Sequence, residues 1–232
     1  MRLPRSALQL SRVAALTAIV VACKAKSATG PDGASKVASI TVVQGNAQTA
    51  QAGRALPGAI VLRVVDDKGK GVAKQAATLV VTTGGGTVTP ATVVSDSLGE
   101  MKLTWTLGQA SAVQTVSAIL DGTPGALIAA SAVFPSSVIV AQGQAQSGKI
   151  ATALKNDVVV RVVGASNQPM VGIPVTFTVT EGGGAITPQS GVTNALGELA
   201  GKWTLGAVVG SNSVVVTAGS LPVAVVRATG TP

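Results

Sequence analysis

Along much of this chain, apolar and polar residues alternate one for one. Ile60, Leu62 and Val64 fall on one side of an extended segment, with Val61, Arg63 and Val65 on the other. This is the period-two signature of a half-buried strand. Ala77, Leu79 and Val81 alternate with Thr78 and Val80 in the same way. Further strands are predicted over 37–43, 99–107, 113–120 and 126–133, then over 136–141, 197–205, 212–218 and 221–228. No convincing helical stripe follows the N-terminal segment. Gly, Pro and Asx residues punctuate the strands, as tight turns require.

The pattern is written twice. Trp105-Thr106-Leu107-Gly108 returns as Trp203-Thr204-Leu205-Gly206, and one unchanged register aligns Gln44-Gly45 with Gln142-Gly143 and Arg63-Val64-Val65 with Arg161-Val162-Val163. In that register Gly84-Gly85-Gly86 meets Gly182-Gly183-Gly184, and Thr89-Pro90 meets Thr187-Pro188. Val175, Phe177 and Val179 take the places of Ala77, Leu79 and Val81. A shift-free repeat of this length means two copies of one domain, over 36–134 and 135–232. About seven short strands per copy predict an all-β protein of two immunoglobulin-like Greek-key sandwiches. The copies join through Phe134-Pro135-Ser136. So short a connection predicts an end-to-end arrangement.

Residues 1–22 carry the parts of an export signal: Arg2, Arg5 and Arg12, an apolar run from Val13 to Ala22, and a small residue before Cys23. The run is too short for a permanent span, which takes roughly 20 helical residues. Val20-Val21-Ala22-Cys23 resembles the lipobox of bacterial lipoproteins, with valine where most have leucine. The resemblance implies lipidation of Cys23, removal of 1–22 and anchoring in a membrane. Residues 23–35 are small and polar and read as a tether. Lys24, where retention at the inner membrane calls for Asp, points to the outer membrane.

The formal charge is +8, of which the three arginines of the signal account for three. The other basic residues are scattered and almost no aromatics accompany them, which argues against a nucleic-acid partner. The chain has no His and no Tyr, its one Cys is the lipidation candidate, and only nine acids are spread along it. Ser-His, Cys-His and metal-assisted chemistry are excluded on that inventory, so no enzyme, cofactor or metal is expected. Asp66 and Asp67 form the best calcium candidate, yet fall far short of the six to eight oxygens that ion takes.

Several motifs resemble the group 1 bacterial immunoglobulin-like domain repeated in intimin and invasin stalks. In the second copy they are Val175-Thr176-Phe177, the triglycine, Thr193-Asn194-Ala195-Leu196-Gly197 and the Trp203 strand; the first copy matches through its triglycine, Ser95-Asp96-Ser97-Leu98-Gly99 and the Trp105 strand. The resemblance covers 36–232 and includes neither a membrane barrel nor a lectin-like domain. Trp105, Trp203 and Phe177 are expected as core anchors. Gly84, Gly85, Gly86, Gly182, Gly183 and Gly184 are expected as hairpin turns at positive φ, and Gly99 and Gly197 as the ends of Asx turns. Two functions compete: a membrane-anchored structural spacer, and an adhesin that recognises a protein or glycan through loop tips or a sheet face. An exposed aromatic or apolar patch would favour the adhesin.

Overall fold

The computed structural model describes residues 36–232, so the signal (1–22), Cys23 and the tether (23–35) lie outside the described residues. The first half forms nine strands: β1 Val37–Gln44, β2 Gln48–Gln51, β3 Ile60–Asp66, β4 Ala76–Thr83, β5 Gly86–Thr89, β6 Thr92–Val94, β7 Glu100–Leu107, β8 Val113–Leu120 and β9 Thr123–Val133. The second half repeats them: β10 Pro135–Gln142, β11 Gln146–Lys149, β12 Val158–Gly164, β13 Pro174–Glu181, β14 Gly184–Thr187, β15 Ser190–Val192, β16 Glu198–Leu205, β17 Gly210–Thr217 and β18 Ala224–Thr231. Each half is a two-sheet sandwich. In the first, the sheets run β1-β3-β7-β5 and β2-β9-β8-β4-β6; in the second, β10-β12-β16-β14 and β11-β18-β17-β13-β15. The protein is thus all-β, built from two tandem immunoglobulin-like sandwiches. Only Phe134 separates β9 from β10.

Alternation decides which face is buried. On β7, Met101, Leu103, Trp105 and Leu107 are buried while Lys102, Thr104 and Thr106 are exposed. Across the sandwich, β8 turns Val116, Ala118 and Leu120 to the same core. The second core gathers Val158, Val160, Phe177, Trp203, Val214 and Val216.

The cores share a plan but differ in how they fill it. Where the first has Leu79, Val88 and Leu103, the second has Phe177, Ile186 and Gly201. A Cβ at Gly201 would lie 2.8 Å from Ile186 Cγ1 and 3.3 Å from Phe177 Cε2. The larger ring and the extra methylene occupy the space a leucine fills in the first copy, as close packing demands.

The edges differ from the sequence reading. One stretch of chain supplies β1 to the four-stranded sheet and then, past Gly45–Ala47, supplies β2 to the other sheet, parallel to β9. The β5–β6 stretch changes sheets in the same way. The triglycine segments are therefore not hairpin turns. β4 pairs with β8 and β6, whereas β5 pairs with β7, so Gly84–Gly86 carry the chain from one sheet to the other, as Gly182–Gly184 do in the second copy. The positive φ stands, at 85°, 74° and 94° for Gly84, Gly85 and Gly86. The last strand, expected over 221–228, runs over Ala224–Thr231. A turn closed by Leu221 N–H on the Ala218 carbonyl occupies the preceding residues, and Pro222 has no N–H to give a ladder.

Candidate functional site

Among the described residues, the aromatic and turn residues singled out in the sequence are held in structural uses. Trp105 and Trp203 are 1% and 0% exposed and Phe177 is 0% exposed, so none offers a face to a sugar ring. Both indole Nε1–H groups lack an acceptor. An unpaired buried donor costs about 1–3 kcal/mol, against which stands the burial of some 150–250 Å² per ring. The same orphan in both copies marks the rings as packing elements.

Beneath each sheet-changing triglycine lies a buried amide that the sequence analysis did not single out. Gln114, 0% exposed, accepts from Gly108 N at 2.8 Å and donates Nε2–H to Gly108 O and Ser111 O, each at 2.9 Å. It thereby holds the β7–β8 loop closed. Gly84 lies directly against it, where a Cβ would meet Gln114 Cδ at 2.5 Å. In the second copy Asn212 is one methylene shorter; it donates only to Gly210 O at 3.1 Å and its Oδ1 has no partner. The available signal was a polar residue at an inward position of an alternating strand.

Asp96 forms an Asx turn. Glu100 N and Leu98 N donate to its Oδ1 at 2.9 and 2.8 Å, and these two bonds, in that order, hold the carboxyl below its ordinary value of 3.8. Asn194 makes the same turn without a charge, to Leu196 N at 2.8 Å and Glu198 N at 3.0 Å. Gly99 and Gly197 close the turns at φ 79° and 75°. A folded-state pKa below the unfolded one stabilises the fold above the unfolded value, and that gain is lost as pH falls through the folded value. Asp96→Asn is therefore expected to remove part of the first sandwich's loss of melting temperature between pH 7 and about pH 2. Thermal melts of both proteins at the two pH values check this; equal losses would contradict it.

Asp66 Oδ1 accepts Lys68 N and Lys70 N, both at 2.9 Å, so one carboxylate of the calcium candidate is committed to its own loop. Among the described residues no group of three or more metal-ligating side chains comes together. No helix there is long and apolar enough to cross a membrane. Where the sandwiches meet there is a half-open cleft of about 340 Å³, lined by Gln51, Arg54, Gln109, Phe134, Ile173 and Pro174 among others. Its Gln51 and Arg54 are committed to the backbone of Val171: Gln51 Nε2 donates to Val171 O at 2.8 Å, Val171 N donates to Gln51 Oε1 at 2.9 Å, and Arg54 Nη2 donates to Val171 O at 3.3 Å.

Large exposed apolar residues occur on both sandwiches. They include Val94 and Leu98 in the first copy, their counterparts Val192 and Leu196 in the second, and Leu127 on a sheet face. No Trp is among them.

The architecture defines a tandem immunoglobulin-like β-sandwich protein. No family model matches the chain, and no curated protein matches it. Among solved structures, it is similar to the Yersinia pseudotuberculosis adhesin InvE, at 18% identity over 88% of this chain and 62% of that one, with a TM-score of 0.42. It is also similar to invasin, described as a bacterial integrin-binding protein, at 21% identity over 84% of this chain and 39% of that one, with a TM-score of 0.44. The D0-D1 domain of intimin is 17% identical over 83% of this chain and 95% of its own, with a TM-score of 0.33. The chain thus spans less than two thirds of the InvE and invasin structures.

Proposed function

We propose that the protein is an exported cell-envelope lipoprotein, held in the outer membrane through lipid on Cys23 and acting as a non-catalytic structural spacer. Residues 1–22 are removed, 23–35 form the tether, and the sandwiches over 36–134 and 135–232 stand beyond it. The observation that carries the spacer reading is the fate of the aromatic side chains: both tryptophans and Phe177 are enclosed in the two cores, and Phe134 is half-buried at the joint. Interface hot spots are enriched in Trp, Tyr and Arg, and the chain has no Tyr.

Anchoring follows from lipid arithmetic. Each buried methylene contributes about 0.8 kcal/mol, and stable attachment takes more than one acyl chain. The test is palmitate labelling of cells expressing the wild type or Cys23→Ala, combined with protease treatment of intact cells. Label is expected in the wild type and absent from the variant. An unlabelled wild type would sink the anchor, and resistance to protease would place the sandwiches in the periplasm.

A further inference from the structure

The two copies diverge where they meet. At the end of the first sandwich where β1 begins and β3 leads into β4, six positions are charged: Lys36, Asp66, Asp67, Lys68, Lys70 and Lys74. The counterparts on the second sandwich are Phe134, Gly164, Ala165, Ser166, Gln168 and Gly172, all neutral. That second end is the one pressed against the first sandwich. A Cβ on Gly164 would lie 2.7 Å from Val133 Cγ1, one on Gly172 would lie 2.9 Å from Arg54 Nη2, and Val171 is bonded by Gln51. The receiving side is equally unrepeated, since Gln51 and Arg54 correspond to Lys149 and Thr152 on the second sandwich.

The crossing residues are fixed as well. Val133, the last residue of β9, packs on the second core, while Phe134 packs on the first. Each sandwich therefore holds a side chain from the crossing segment. The primary amide of Gln51 meets the N–H and C=O of Val171 as a neighbouring strand's peptide group would, a two-point contact that fixes direction as well as distance.

From the charge exchange, the two-point amide contact and the crossed packing, we infer that Gln51, Arg54 and the 171–174 loop form a specific domain-docking surface, with the Gln51 amide as its latch. The surface holds the two sandwiches in one orientation as a single rigid body. The second sandwich's side of it carries no charge, because an ion placed there would lose hydration without gaining a partner. This deepens the spacer reading, giving it stiffness, and it stands independently of the lipid.

The test uses the full chain carrying Cys23→Ser, so its outcome is separate from that of the labelling experiment. Residual dipolar couplings are measured for strand amides of both sandwiches in a weakly aligning medium. One common alignment tensor is expected, and also for Lys149→Ala, which alters the counterpart of Gln51 away from the joint. Gln51→Ala and Gly172→Lys are each expected to lose the common tensor, giving two tensors of different magnitude while shifts within each sandwich persist. Gly172→Lys is compatible with the local fold, because Lys74 holds the same position in the first copy at φ 59°, close to the 72° of Gly172. Separate tensors in the unaltered joint, or a common tensor surviving both joint substitutions, would overturn the inference.

Discussion

Phe177→Leu is expected to destabilise the second sandwich by about 2 kcal/mol, and Gly201→Leu alone by about 3 kcal/mol, yet combined with Ile186→Val they should restore most of the loss. The first change leaves unfilled space beside Gly201, where no side chain can relax into it. The second drives a branched chain into atoms already 2.8 and 3.3 Å from where its Cβ would stand. Combined with Ile186→Val, they write Leu79, Val88 and Leu103 of the first copy into the second, a set the first core already accommodates. Denaturant-dependent hydrogen exchange of β13 and β16 amides measures each variant. A coupling energy near zero would show that the three positions do not share one space.

The second large effect is graded within a single turn. Gly86→Ala is expected to destabilise the first sandwich by more than about 3 kcal/mol, and Gly85→Ala by only about 1 kcal/mol. Both residues have positive φ, at 94° and 74°, so backbone preference alone predicts similar costs. Surroundings separate them. A Cβ on Gly86 would run into the Thr106 carbonyl oxygen and stand 2.6 Å from Gly108 N, backbone atoms of a paired strand and its turn that cannot rotate away. A Cβ on Gly85 has nothing nearer than Gly108 Cα at 4.0 Å. Equal losses in urea titrations of the two variants would leave φ as the whole explanation and remove the packing argument.

The long strands were legible in the sequence because a single rule writes them. Inward Met101, Leu103, Trp105 and Leu107 alternate with polar neighbours, and β8 begins and ends at the predicted residues. The strands that escaped prediction have three or four residues, as β2, β5 and β6 do, too few for a period to show. Their sheet membership follows from pairing with β9, β7 and β4, contacts that no local window contains. The triglycine was readable as a turn at positive φ but not as a change of sheet, because glycine permits a conformation without naming the partner that follows. Gln114 was findable, since it occupies the inward phase of β8. The joint was half findable: the charge exchange between copies is plain in the aligned repeat, but the bond from Gln51 to Val171 spans 120 residues and shows only once the sandwiches are in place.

The split strands also bear on life at high surface density. Under the anchoring proposed above, neighbouring copies would lie side by side, and an uninterrupted outer strand would offer each neighbour a template for intermolecular pairing and eventual fibre growth. Here β1 yields to β2 and β5 to β6 after at most eight residues, so every outermost ladder on either module is broken partway along. A crowded layer of such molecules would therefore meet its neighbours with interrupted rims of eight residues or fewer instead of one continuous edge.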